Sequence, residues 1–294
     1  MNTISNKQKA AILECLIEGN SIRSTVRLTG VARDTILRLL ADAGETCLEY
    51  QDQMLQNLPC KRVQCGEIWA FCYAKDKNVP DSMRGERGVG SVWTWTALCA
   101  DTKLMISWRL GARDAATAHA FVNDLAEWLA NRIQLTTDGN RLYVNAVDDA
   151  FQGDVDYTQL VKLFGSDHEG ERTCSPAKCL GTRKEQVNGN PDMREVSTSY
   201  VERQNLNMRM KNRRFTRLTN TFSKKAENLA YSIALDFLHY NFCRIHETLR
   251  MTPAMKAGIV PGIMTIEDLV EMLPLPVAKK RGPYKPRRAK ATDA

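Results

Sequence analysis

The chain has no run of 18 or more apolar residues, so no segment reads as a transmembrane helix. It has no glycine-rich loop of the P-loop type, which removes support for coupling to ATP. No tight four-cysteine cluster precedes residue 60, so an N-terminal zinc module is not expected. Its nine cysteines are an odd number without secretory features, and they read as reduced thiols. The looser pairs Cys60/Cys65 and Cys174/Cys179 lie more than 100 residues apart, and no zinc is expected there either. The first residues are polar every few positions rather than signal-like, so a cytoplasmic chain with no membrane partner is the simplest expectation.

What is present suits a packed soluble core: 294 residues, 43% hydrophobic, enough for one large domain and a small one. The formal charge is +7, and its distribution matters more than its size. Within the last 17 residues Lys279, Lys280, Arg281, Lys285, Arg287, Arg288 and Lys290 face Asp293 alone. The segment 275–294 therefore reads as a basic, flexible tail that meets phosphates by charge.

Residues 1–50 are helical in period. Ala11, Ile12, Cys15 and Leu16 form one apolar stripe, and Ser21 is placed to cap a second helix. Thr29-Gly30 makes a turn before a third helix over Ala32 to Leu40, so the sequence predicts a helix-turn-helix DNA-binding domain. Arg33, Thr35 and Arg38 would meet base edges, and Arg23 and Arg27 would meet phosphates. Residues 51–59 read as a linker helix ending before Pro59.

From Cys60 the period changes to two. Three strands linked as a meander, a helix from Asp114, a strand ending at Asp138, a helix over Leu142 to Phe151 and a strand at VKLFG predict an α/β fold. Its mixed sheet would be five-stranded with flanking helices, the fourth strand returning beside the first. Residues 165–198, rich in glycine, proline and charge, read as a long loop or insertion. Helices resume from Ser199, and 251–274 reads as a C-terminal helical extension.

Metal-dependent phosphoryl transfer needs carboxylates that converge on divalent ions. Asp138 stands where a strand stops beside a glycine, and Glu202 stands one turn into a helix. Between Glu202 and the next break lie Arg203, Asn205, Arg209, Lys211, Arg213 and Arg214 with no acid, a basic run suited to a polyanion. The first strand offers only Glu67, which alternation puts on the face opposite Gly66. Its use would require a register slip of one residue.

The strand QCGEIWAF with YAKDKNVP after it, the segment TTDG, the helix SYVERQNLNMR and the stretch HYNFCRIHETLRMTPAMKAGI together resemble bacterial insertion-sequence transposases of the DDE class, in particular the insertion sequence one group. The resemblance covers about residues 60 to 260. It implies a ribonuclease H-like catalytic domain over 60–250, and a nucleoid-associated bacterial protein that cuts transposon ends and joins them to target DNA with two Mg2+ or Mn2+ ions. Two ends must be held together, which implies a homodimer or higher homo-oligomer. Asp138 matches the second catalytic aspartate and Glu202 the catalytic glutamate, while Arg203, Asn205 and Arg209 match positions along the DNA path. The first aspartate of the family's Cys-Asp-Glu-x-Trp motif is replaced by Gly66, 72 residues before Asp138, which is itself 64 before Glu202. Cleavage is expected to be impaired and binding to survive. The alternative is a noncatalytic DNA-binding regulator on the same scaffold.

Overall fold

The computed structural model describes residues 4–165, 179–216 and 220–275. The tail cations from Lys279 to Arg288 and Cys174 lie outside the described residues.

Helix α1 (Asn6–Ile17) opens on a reciprocal cap in which Ser5 Oγ accepts from Gln8 N and the Gln8 side chain accepts from Ser5 N. It buries Ala10, Ile12, Leu13 and Ile17, a face turned by about one residue from the expected stripe, and Ala11 is exposed. Ser21 caps α2 (Ile22–Thr29), and Gly30 ends it in the left-handed region at φ 70°.

Helix α3 (Arg33–Met54) then runs unbroken for 22 residues, so the expected third helix and linker helix are one element ending well short of residue 59. Its lone glycine serves contact: a Cβ on Gly44 would overlap Tyr231 of α7 (Ala226–Leu238). Tyr231 Oη also donates to Glu45 at 2.9 Å, and Gln51 donates to Ala234 O at 3.2 Å.

Among the described residues six strands form one sheet, ordered β3-β2-β1-β4-β5-β6. β1 (Arg62–Cys72), β2 (Gly90–Cys99) and β3 (Met105–Gly111) make the antiparallel meander. A crossover through α4 (Ala115–Glu127) lays β4 (Ile133–Asp138) parallel to β1, and α5 (Leu142–Phe151) leads to β5 (Val155–Phe164), parallel to β4.

The sixth strand, β6 (Cys179–Asn188), corrects the five-strand expectation and the assignment of 165–198 as loop. It escapes a periodicity reading because CLGTRKEQVN has no buried residue to mark one face. It is a polar, charged edge strand, which discourages pairing with a further strand.

Alternation along β1 divides the core. Val63 and Cys65 pack with Trp95, Phe121 and Tyr143 under α4 and α5, while Ile68 and Ala70 pack with Val201, Ile233 and Phe237 under α6 (Ser199–Lys211) and α7. The first of these clusters also takes in Ile12, Leu13, Ile36, Leu40 and Cys47 of α1 and α3. The N-terminal helices thus share a core with the sheet.

A single π turn (His239–Cys243) follows α7. Its fully buried Asn241 brackets one residue of β3, accepting from Met105 N at 3.0 Å and donating to Met105 O at 2.9 Å. Tyr240 Oη donates to Lys103 O at 2.9 Å beside it. Short helices α8 (Pro253–Lys256) and α9 (Ile266–Met272) complete the described chain, and α9 lies against α1. No described helix is long and apolar enough to cross a membrane.

Candidate active site

β1 and β4 run side by side in parallel, and α6 lies across the even-numbered face of β1. What holds α6 there is Gln64, 3% exposed on β1, whose Oε1 accepts from Tyr200 N at 2.9 Å and Val201 N at 3.2 Å. These are two of the N–H groups that a helix start leaves without intrahelical partners. The cap carries Glu202 to the rim of a cleft of about 520 Å³, whose walls include Gly66, Glu67, Asp138, Asn205 and Arg209.

Asp138 ends β4. Its Oδ1 accepts from Asn140 N at 3.0 Å, and Gln159 Nε2 donates to its carbonyl at 3.1 Å, which fixes the turn. Burial pushes its carboxyl above the usual aspartate range, with the Asn140 N–H and the Arg113 charge acting against that push. Glu202 accepts from Thr198 Oγ1 at 2.5 Å and forms an ion pair with Lys162 of β5 at 2.6 Å.

Glu67 needs no register slip to reach this cleft, contrary to the expectation from alternation. In its native register it bonds Asn140 Nδ2 at 2.7 Å through one oxygen and Arg113 at 2.9 Å through the other. Its side chain is only 2% exposed. Burial, and then the neighbouring Asp138 charge, raise its pKa. Alternation does set Gly66 and Glu67 on opposite sides of the strand, but β4 stops at Asp138 beside them, and the Glu67 carboxylate meets Asn140 and Arg113 at the cleft.

At Gly66 the space for a side chain is tight. A Cβ there would stand 3.3 and 3.4 Å from the two methyls of Val201 and 3.6 Å from Asn205 Nδ2. Asn205 donates to Glu67 O at 3.4 Å, and its own Oδ1 is buried without a partner. Three cationic side chains, Arg113, Lys162 and Arg209, line the cleft with three carboxylates. No group of three or more His, Cys, Asp or Glu side chains among the described residues is placed to hold a metal ion. The donors present do not make a two-ion site: position 66 supplies no oxygen, Arg113 engages Glu67, and Lys162 engages Glu202.

The remaining expected site residues separate. Arg23 and Arg33 line a groove with Arg213, Arg214 and Lys224. Arg27 and Arg38 are exposed and Thr35 is half-buried on α2 and α3, and Arg203 is exposed on α6. Lys211 turns away from the cleft toward Asp236, His239 and Arg244. Of the cysteines, Cys60 contacts Cys99, Cys65 is buried in the core, and Cys179 is exposed on β6. Gln64, Arg113, Asn140 and Lys162 were not legible as site residues, because nothing in their local sequence marks them.

No family model and no curated protein matches the sequence. Solved structures similar to the chain include the Mos1 transposase paired-end complex with left transposon end, at 11% identity and TM-score 0.24, covering 53% of this chain and 60% of that one. The Mos1 strand transfer complex matches at 14% identity and TM-score 0.24, covering 53% and 59%. A piggyBac transposase synaptic complex with hairpin DNA matches at 11% identity and TM-score 0.41, covering 92% of this chain and 70% of that one. The chain spans about 60% of the length of the Mos1 chains it matches.

Proposed function

We propose that this chain is a DNA-binding protein of the transposase type, with a ribonuclease H-like strand-cleavage centre that has lost its first carboxylate. The observation that supports it is convergence: Gly66 in the middle of β1, Asp138 at the end of the parallel β4 and Glu202 on α6 line one cleft. In a complete centre, Mg2+ or Mn2+ ions would activate the nucleophile and clamp the scissile phosphate. Here the residues serve to bind. Arg209 on the cleft wall brings a cationic donor to a phosphate, and the helix-turn-helix formed by α2 and the start of α3 presents Arg23, Arg27, Arg33, Thr35 and Arg38 to a duplex. The partners are transposon-end and target DNA, held by two or more copies of the chain.

A second reading, a regulator that binds without cutting, is favoured by the Lys162–Glu202 pair. The pair lowers the negative charge that metal ions need.

The test is Mn2+-dependent cleavage of DNA carrying the element's own ends, comparing this chain with Gly66→Asp and with Gly66→Asp/Val201→Ala, the second making room for the new Cβ. The expected outcome is end binding by all three and cutting only by the Asp forms, the double variant faster. Equal cutting by the unaltered chain would move the missing ligand elsewhere, first to Glu67. End binding by all three without any cutting would leave the regulator.

A further inference from the structure

A larger groove lies farther along β1, beyond Glu67. Trp69 and Phe71 project from the same face of the strand as Glu67, and Phe222 continues their row. The ring centroids are 5.8 Å apart from Trp69 to Phe71 and 4.9 Å from Phe71 to Phe222, and all three rings are half-buried. Lys75 stands 5.8 Å over the Phe71 ring, and Lys77 and Arg214 line the same groove, whose volume is about 840 Å³. No acid is among its lining residues.

The platform is built rather than incidental. Trp69 Nε1 donates to Ser91 Oγ at 2.9 Å, and Asp76 accepts from both Ser91 N and Ser91 Oγ, at 2.6 and 2.5 Å. Asp76 thereby spends its charge on β2 and pins the turn whose neighbours, Lys75 and Lys77, stay exposed. Arg214 is steadied by Ser223 Oγ at 2.9 Å. Burial lowers its pKa to about 10, which still leaves it charged at neutral pH. Arg214 and Phe222 also line the groove that holds Arg23, Arg33, Arg213 and Lys224, again without an acid, so the two grooves adjoin at these residues.

We infer that this groove binds unpaired nucleotides of a DNA strand, their bases against Phe71, Phe222 and Trp69 and their phosphates on Lys75, Lys77 and Arg214. Paired bases inside a duplex keep their faces stacked on each other, so half-buried rings lining a groove flanked by cations suit a strand that has left the duplex. The proposal rests on the reading of the chain as a DNA-binding protein and adds a second, strand-specific site to it. On that geometry a duplex held at Arg23 and Arg33 would deliver a separated strand past Phe222 toward the cleft that holds Glu67 and Asp138.

The test is binding of the full chain to labelled oligo-dT and to a duplex of equal length, in EDTA, by fluorescence anisotropy. Phe71→Leu and Phe222→Leu keep apolar volume and remove the stacking face, and Lys75→Glu/Lys77→Glu alters only exposed positions. Each Leu variant should weaken oligo-dT binding by about ten-fold or more while duplex affinity stays within two-fold. The lysine pair should weaken it further and flatten its salt dependence. Wild-type oligo-dT affinity in both Leu variants overturns the proposal, as does an equal loss for oligo-dT and duplex. The cleavage result for Gly66→Asp does not enter this test, so failure of one leaves the other standing.

Discussion

Asp236 on the last turn of α7 and His239 at the start of the π turn after it are both shifted in the direction that disfavours charge. Burial pushes the Asp236 carboxyl up to about 7, with Lys211 and Arg244 opposing it. Burial, with Lys211 acting the same way, pulls His239 down to about 4, and Glu18 opposes that. A raised folded pKa gives Asp236 a stabilising contribution that is full below its unfolded value near ~3.9 and is lost as pH rises through about 7. The lowered pKa of His239 gives a contribution that is present above its unfolded value near ~6.5 and is lost as pH falls through about 4. The two trends oppose each other across most of the acid range, and the Asp236 decline is uncovered near neutrality. Thermal unfolding should therefore show the wild type losing stability over a narrow window between about pH 6.5 and 7 and levelling off above it. Asp236→Asn should remove that slope, and His239→Gln should extend it toward lower pH. A wild-type profile that is flat near neutrality would mean that Asp236 stays charged in the fold.

At the scale of elements, α6 depends on a side chain from another element. Gln64→Ala would leave Tyr200 N and Val201 N without their acceptor in a buried place, an expected loss of about 2 kcal/mol in chemical denaturation. A loss no larger than that of an exposed substitution would show that water takes over the cap. Nothing in the sequence of α6 announces this dependence, whereas α4, α5 and the strands β1 to β4 were legible from their own periodicity. Asp138 and Glu202 were legible too, because TTDG ends a strand and VERQN sits in a helix. Lys162, Arg113 and Gln64 act on partners 40, 46 and 136 residues away, and such pairings exist only once the sheet is formed. The stretch HYNFCRIHETLRMTPAMKAGI, which carried much of the resemblance, holds a structural clamp in Asn241 and no cleft residue.

For the whole molecule, charge and packing act at different ranges. Most of the net charge belongs to residues 278–294, so removing them should change how DNA binding responds to salt more than it changes the fold. With 0.9 in slope for each phosphate neutralised, the plot of log K against log salt should flatten by up to about 6. An unchanged slope would show that the tail stays off the DNA. Packing binds the remainder into one body. The residues of α1 and α3 share a core with α7 and the sheet, and Gly44 lets α3 approach Tyr231 with no side chain between them.

That shared core has a consequence for measurement along DNA. If α3 reads base pairs and the cleft receives the strand, the two are joined through one packed core, with α3 set directly against α7. The interval between the sequence recognised and the phosphate presented is then a property of the fold, fixed like the gap between the jaws of a caliper. One base pair inserted between them would turn the phosphate out of reach instead of shifting the point of attack.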